Sequence, residues 1–378
     1  MKELYSGYSK KTEKELKELW NDSLITFDTN VILNLYSYSE STRNAIIQLI
    51  SKFNSQIFLT HQVGLEYNRN RFEIISNQEK SHNEFLKKLK LIEDNLNSKK
   101  TPPFLSEELY NSLNTVFNKV EKEVEQHINS FRKMFDKDEI FENIDRLFAD
   151  KITEKYPDEK INEIFKIGKD RYNKKIPPGY EDDDKPENKK YGDLIFWKQI
   201  LDKSKKEEKS IILISDEKKE DWFWKLKNKK TIGPRQELIE ELKLFSGKDF
   251  HIYSSESFLD FGQTYLKEIV NNEAIKEIEE IKKSNLDSSN KEIEKTLSKN
   301  MIKIHLRLSE LDKENYESYL EMLTPRESDF IKLFLGLGKF RSMTINEIGE
   351  TFDLTVSRTN EIMHKAFTNL NNIINEKK

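Results

Sequence analysis

Apolar residues recur along the chain in two rhythms, and their alternation outlines the architecture. Leu24-Ile25-Thr26-Phe27, Gln56-Ile57-Phe58-Leu59-Thr60, Ser210-Ile211-Ile212-Leu213-Ile214 and Phe250-His251-Ile252-Tyr253 are short β-prone runs bounded by polar residues. Between them apolar positions fall three or four apart. Leu16, Leu19 and Trp20 predict a helix before the first run, and Ala45, Ile46, Leu49, Ile50 and Phe53 one starting near Ser41. A long amphipathic helix starts near Gln62, and another runs from Asp193 to about Lys206 with Leu194, Trp197 and Leu201 inward. Pro234 is placed as a first-turn proline of a helix that runs to Gly247. Strands and helices thus alternate over residues 24–260, which predicts an α/β fold with a mainly parallel sheet.

Two stretches break the alternation. Residues 80–170 carry apolar stripes at helical spacing, Leu86, Leu89, Ile92 and Leu96 in one and Leu109, Leu113, Phe117 and Val120 in another. Thr101-Pro102-Pro103 separates them, so this is a helical insertion, a hairpin or small bundle. Residues 262–320 are dense in charge and read as a solvated helical linker. Apolar periodicity returns over 321–378 as a small all-helical unit. The expected organisation is a domain over 1–261, the linker, and a C-terminal domain over 321–378.

Composition narrows the function classes. The 378 residues include 64 Lys and Arg against 68 Asp and Glu, a net charge of -4, which speaks against nucleic-acid binding by bulk charge. Any such binding has to come from local patches. Zero Cys removes disulfides, thiolate zinc sites and cysteine nucleophiles, and fits a cytosolic protein. No run is long and apolar enough for a membrane span, and Met1-Lys2-Glu3-Leu4 lacks the pattern of a secretory signal.

Four acids share a type of placement. Asp28 ends the first strand and Asp216 ends the Ile211–Ile214 strand; Glu66 lies in the first turns of the helix after Gln62, and Asp193 starts its helix. A parallel sheet carries its site at the carboxyl edge, where all four could meet. Taken singly, Asp28 and Asp216 could be turn formers and Asp193 a helix cap. Converging carboxylates repel unless they take up protons or a cation, and hard oxygen donors favour Mg²⁺ or Mn²⁺, which activate water for phosphodiester hydrolysis.

Asp28-Thr29-Asn30-Val31-Ile32-Leu33 with Glu66, Asp193 and Ser215-Asp216 resembles the acidic signature of PIN-domain nucleases. Tyr36-Ser37-Tyr38, His61-Gln62-Val63-Gly64-Leu65-Glu66, Asn68-Arg69-Asn70-Arg71 and Ile176-Pro177-Pro178-Gly179-Tyr180 bring it closer to the bacterial PIN-like subgroup with a helical insertion. So do Tyr191-Gly192-Asp193, Asp216 to Trp222, and Gly233-Pro234-Arg235, over roughly residues 5–260. The resemblance implies a Rossmann-like PIN fold and Mg²⁺- or Mn²⁺-dependent cleavage of RNA or single-stranded nucleic acid. It implies Asp28, Glu66, Asp193 and Asp216 as metal ligands or water-orienting groups, and Asn30 as a loop-fixing hydrogen bonder. Ser215 stands where many PIN domains have Thr. Glu217 and Asp221 are helper acids, or helix N-terminal charges. Arg69 shares a helix face with Glu66 while Arg71 is rotated away; either could hold a phosphate or pair with surface acids. Lys218, Lys219 and Arg235 are further phosphate-binding candidates.

Thr324-Pro325 opens a helix that Gly336-Leu337-Gly338 ends. Thr344 caps a second, Phe352-Asp353-Leu354 makes a tight turn, and Thr355 caps a third through about Ile374. This helix-turn-helix resembles region four of bacterial sigma factors, whose third helix enters the DNA major groove. Ser357, Arg358 and Asn360 are its candidate DNA contacts. Eight basic and eight acidic residues over Glu321–Lys378 leave the unit neutral, so a protein partner or a second copy of the chain competes with duplex DNA. The expected function is a nuclease with an appended recognition domain, in a fusion compatible with host defence. The alternative is a non-cleaving transcriptional regulator.

Overall fold

The computed structural model describes residues 6–8, 11–97, 105–226, 230–266, 273–281, 313–337, 341–352, 354 and 356–376. They fall in two compact units, Met1–Glu279 and Glu280–Lys378.

In the first unit α1 (Glu13–Asp22) leads into β1 (Leu24–Phe27), then α2 (Thr29–Leu33), α3 (Glu40–Lys52), α4 (His61–Asn97), α5 (Glu107–Lys133), α6 (Glu139–Phe148) and α7 (Asp158–Asn173). There follow α8 (Glu187–Lys190), α9 (Gly192–Glu207), β2 (Ile211–Ile214), β3 (Phe223–Lys225), β4 (Thr231–Pro234), α10 (Gln236–Ser246), β5 (Phe250–Tyr253) and α11 (Ser255–Tyr265). Residues 273–281 are helical and form α12. The sheet has the order β1-β2-β5, parallel throughout, with Phe27 level with Ile214 and Ile214 level with Tyr253. Every residue of β1 and β2 is buried, which explains why these runs are apolar without alternation.

Two local expectations are corrected. Gln56–Thr60 is not a full strand: Ile57 bridges Ile25, and Leu59 then bridges Ile152, so the segment changes partner after one pair. Pro234 does not open α10 but closes β4, opposite Phe223, in an antiparallel ribbon with β3; α10 starts at Gln236. A residue without an N–H is tolerated at such a ribbon end. Gly247 does end the helix, in the left-handed conformation at φ 74°.

The insertion is an antiparallel hairpin of α4 and α5, followed by α6 and α7. Leu86, Leu89, Leu96, Leu113, Phe117 and Val120 are half-buried, whereas Ile92 and Leu109 are exposed. The Thr101-Pro102-Pro103 break lies outside the described residues. The hairpin is tied at its base, where Arg71 donates to Asp138 at 2.9 Å and Tyr36 donates to the same oxygen at 2.6 Å.

The expected domain boundary at 261 falls inside α11, and α12 packs with the first unit. Ala274 and Ile278 are buried, and Glu277 accepts hydrogen bonds from Ser39 and Thr42 at the start of α3. Apolar residues one turn apart give this charged helix a buried face. Residues 282–312 of the expected linker lie outside the described residues.

The second unit contains α13 (Lys313–Leu320), α14 (Pro325–Leu335), α15 (Ile345–Thr351) and α16 (Val356–Glu376). Thr324 and Thr344 each form a capping box, with Glu327 and Glu347. Phe330, Ile331, Ile348, Met363, Phe367 and Leu370 make its core. Among the described residues no helix is long and apolar enough to cross a membrane.

Candidate active site

The register of the sheet brings the site together. β1 and β2 are parallel and level, so the residues that follow them emerge side by side: the Asp28 N–H donates to Ile214 at 2.9 Å, and Ser215 Oγ donates to Asp28 Oδ2 at 2.8 Å. Asp28 occupies the N-cap position of α2, but its side chain caps nothing and faces a cavity of about 390 Å³. Thr29, buried beside it, donates to Glu66 Oε2 at 2.8 Å, and Gln62, one turn before Glu66 on α4, donates to Oε1 at 2.7 Å. Both oxygens of Glu66 are thereby oriented by neutral donors. Asp193, the second residue of α9, accepts from Trp222 Nε1 at 3.3 Å. Glu217 completes the set. Its N–H donates to Ser215 Oγ at 3.1 Å, and its carboxylate accepts the N–H groups of Lys218 and Lys219. Asp28, Glu66, Asp182, Asp193 and Glu217 all line the cavity, joined by Arg69, Lys189 and Lys219.

Acids this close disturb one another. Burial, then the charge of Asp193, pushes the Asp28 carboxyl up to about 7, against the Ser215 hydrogen bond that favours its charged form. Asp193 is raised as well, first by burial and against the pull of Lys219. Lys219 stands 3.0 Å from Asp182 and 3.5 Å from both Asp193 and Glu217. Burial works against its charge, but the surrounding acids outweigh burial and hold its pKa above the usual lysine range. Its ammonium stands among three of the cavity's acids.

The PIN-like domain family model matches residues 24–238, more than half of the chain. The chain belongs to the PIN-like domain family. The model of region 4 of sigma-70 factors matches residues 319–372, placing a sigma-region-4 helix-turn-helix domain after the PIN-like domain. Both families are associated with nucleic acid. No curated protein and no solved structure matches the chain closely enough for comparison.

Within the PIN-like domain the structure redistributes the expected residues. Asp28, Glu66 and Asp193 face one cavity, but Asp216 does not line it. Asp216 accepts from the Ser255 N–H at 3.0 Å and from Ser255 Oγ at 2.7 Å, at the start of α11. Successive residues of an extended chain point to opposite sides, so Ser215 and Glu217 share the cavity side and Asp216 takes the other. Glu217, expected as a helper, lines the cavity with them, as does Asp182. Asp221 lies behind the cavity wall. It accepts the backbone N–H groups of Gly179 at 2.8 Å and Glu181 at 3.3 Å, holding the loop that presents Asp182, and burial followed by Asp193 pushes its carboxyl to about 6. Asn30 is exposed and lines the cavity, while the loop it was expected to fix is held through Ser215 and Thr29.

The arginines separate in the same way. Arg69 is exposed and lines the cavity; Arg71 instead pairs with Asp138 and lies 4.0 Å from the Phe72 ring centre and 4.5 Å from that of Phe141. Two residues apart on a helix, they are about 200° apart in direction. Arg235 pairs with Glu237, and Lys218 is exposed outside the cavity lining. Asp182, Lys189, Gln62 and Thr29 were not read as site residues. For Gln62 the signal was its place four residues before Glu66; Asp182 lay hidden in an acidic run, Glu181 to Asp184, with nothing to single it out.

Among the described residues no three acids or histidines form a preassembled metal cage. The donor set nevertheless fits a hard divalent ion. Its donors are hard oxygens of carboxylates, hydroxyls and side-chain amides, Asp28 is destabilised as an anion, and a lysine ammonium is drawn in among Asp182, Asp193 and Glu217. In the C-terminal domain Ser357, Arg358 and Asn360 fall in the first turns of α16; their side chains lie outside the described part of the structure.

Proposed function

We propose that the PIN-like domain is a Mg²⁺- or Mn²⁺-dependent nuclease that hydrolyses phosphodiester bonds of RNA or single-stranded nucleic acid. One observation carries the reading: Asp28, Glu66, Asp193 and Glu217, from four separate segments, converge on one cavity at the carboxyl edge of a parallel sheet, where burial first and then the neighbouring acids raise Asp28 to about 7. A domain that only bound nucleic acid would gain from losing these charges, since they repel phosphate. Asp28, Asp193, Glu217 and Glu66 would hold the ion. When bound, it supplies Lewis acidity towards water and the phosphate oxygens and offsets the acids' charge.

The chain's own residues do the rest. Ser215 fixes the carboxylate plane of Asp28, and Thr29 and Gln62 fix that of Glu66. Gly192 keeps the wall open, because a Cβ there would stand 3.0 Å from Glu66 Oε1. Arg69 and Lys189 line the cavity without an ion pair among the described residues and attract a phosphate that the acids alone would repel. Lys219 balances Asp182, Asp193 and Glu217.

The test is cleavage of end-labelled RNA and single-stranded DNA with Mg²⁺, Mn²⁺ or chelator. Cutting that needs the ion and falls at least a hundredfold in Asp28→Asn, Asp193→Asn and Glu217→Gln supports the reading; no cutting of any substrate with either ion sinks it. The sigma-region-4 match supports a second role for the same chain, recognition of duplex DNA or a protein partner through the C-terminal domain. If duplex DNA binds and nothing is cut, the non-cleaving regulator takes the place of the nuclease.

A further inference from the structure

A second cavity, of about 190 Å³, adjoins the acidic one and shares Gln62, Arg69 and Gly192 with it. Its chemistry is the reverse. No carboxylate lines it, and Arg69, Lys155 and His61 stand in its wall together with the amides of Gln62 and Gln199. Arg69 and Lys155 are both exposed and take part in no ion pair or side-chain hydrogen bond among the described residues. His61 is held below the usual histidine pKa, by burial first and then by the charge of Lys155, so the Lys155 field reaches into the pocket. The rest of the wall is aliphatic and aromatic, with Leu65, Ile161 and Phe165 half-buried beside Tyr156 and Tyr191. The Phe165 ring packs at a tilt against Tyr191, its centre 5.1 Å away, whereas Lys160 lies 3.9 Å from the Tyr156 ring centre and covers that ring. Tyr191 is buried against both Phe165 and Tyr172, which leaves Phe165 as the half-buried phenyl ring in the wall.

We propose that this cavity holds one unpaired nucleotide of the substrate strand next to the bond presented to the acids, its phosphate on Arg69 and Lys155 and its base against Phe165. The inference rests on the nuclease reading and adds to it the place where the strand is gripped and the residues that grip it. Cations beside an apolar aromatic wall match a nucleotide, which carries a charged and a flat apolar part. A base still paired in a duplex has neither face free to enter, so the pocket selects single strands. The acids repel the strand where it must be cut, and the adjoining cationic pocket supplies the attraction they lack. Arg69, common to both cavities, is the hinge between the two roles.

The experiment uses the full chain carrying Asp28→Asn, with fluorescein-labelled ten-nucleotide oligouridylate, oligodeoxythymidylate and an RNA duplex, read by anisotropy over a salt series. Single strands are expected to bind at least tenfold more tightly than the duplex. Lys155→Glu should weaken them about tenfold and flatten the log–log salt slope by about 0.7, the value for one phosphate contact on a single strand; Lys155→Arg should restore both. Phe165→Ala should weaken binding about tenfold with the slope unchanged. Phe165 also packs in a small core with Ile164 and Leu194, so Phe165→Leu and crosslinking of a 4-thiouridine oligonucleotide to residues 155–165 check the same point in a folded chain. Parent-like binding by Lys155→Glu and Phe165→Leu, crosslinks elsewhere, duplex preference, or no binding of either single strand overturns the proposal. Cutting by the unsubstituted chain with those variants binding normally removes only the pocket; pocket-dependent binding with no cutting removes only the nuclease.

Discussion

Ser215 Oγ donates a 2.8 Å hydrogen bond to Asp28 Oδ2, joining the ends of two neighbouring strands that lie 187 residues apart in sequence. The same hydroxyl accepts from the Glu217 N–H at 3.1 Å, so one serine positions two of the cavity's acids. Burial and the charges of Asp193, Glu217 and Glu66 all push Asp28 towards its neutral form, and the Ser215 bond opposes them.

Removing that hydroxyl therefore moves Asp28 further from ionisation. In Ser215→Ala the acid limb of the pH–rate profile, set near 7 by Asp28 in the parent before ion binding, should shift upward by about one unit. Ser215→Thr keeps the donor and should restore the parent midpoint. A profile unchanged in Ser215→Ala would show that Asp28 does not set the limb.

Asp28 also makes stability depend on pH. Its folded-state value, about 7, lies above its ordinary 3.8, so the neutral carboxyl is the form the fold favours. The stability it contributes is complete below about pH 4 and is lost as pH rises through 7. Asp28→Asn keeps the neutral shape at every pH. In chelator at pH 8 it should melt about 2–4 °C above the parent, and the two curves should converge towards pH 4. Mg²⁺ or Mn²⁺ should raise the parent's melting temperature more than the variant's. A variant that melts lower than the parent at pH 8 contradicts the charge-repulsion account of the site.

Asp216 and Glu217 are adjacent carboxylates built into different parts of the molecule. Asp216 ties Ser255 at the start of α11, so Asp216→Ala should destabilise the first unit by about 1 kcal/mol, as loss of a helix-start hydrogen bond does, and leave most of the cutting rate in the folded fraction. Glu217→Gln should do the opposite, abolishing cutting with a melting temperature at or above the parent's. Denaturant titration and single-turnover cleavage separate the two effects.

How far the sequence foretold the site follows from where its information was local. The strand-end position of Asp28, the helix-start position of Asp193 and the turn carrying Glu66 are set by neighbours in sequence, and all three reach the cavity. The choice between Asp216 and Glu217 depended on the side taken by a chain leaving β2, which the paired register decides and single-strand patterning leaves open. The β3–β4 ribbon escaped for a similar reason: Trp222-Phe223-Trp224-Lys225 pairs with a partner that contains Gly233 and Pro234, residues that signal turns. Asp182 was beyond reach, because a loop pinned by Asp221, 42 residues from Gly179, carries it into place.

Arg71 gives a contrast to Arg69 that stability measurements can read. With Asp138 it forms a 2.9 Å pair whose side chains are 15% and 4% exposed, and Tyr36 shares the same carboxylate oxygen. Arg71→Ala leaves Asp138 charged and poorly compensated, and should cost about 3 kcal/mol in urea unfolding of the first unit. Arg69→Ala, at an exposed residue without an ion pair, should leave unfolding unchanged and weaken oligonucleotide binding. Equal unfolding midpoints for the two variants would contradict this division.

The C-terminal domain offers a test that involves none of the PIN-like site. α15 and α16 come close together at Gly349, where an added Cβ would stand 2.9 Å from Thr359 Oγ1 and 3.0 Å from the carbonyl oxygen of Leu354. The second of these is backbone in the turn between the helices, and the Leu354 N–H donates to the Gly349 carbonyl at 2.8 Å, so neither side can yield without opening the turn. Thr359 is fully buried, which blocks escape in the other direction. Gly349→Ala should therefore destabilise the domain by about 1–3 kcal/mol, as overpacking does, despite the better helix propensity of alanine. The full chain should then melt with an early transition for residues 313–376, seen as lost amide-exchange protection there, while metal-dependent cutting of a short RNA by the PIN-like domain persists. Unchanged protection over α15 and α16 would mean that the helices can separate by the few tenths of an ångström the methyl needs, and that the close approach at Gly349 does not hold the motif together.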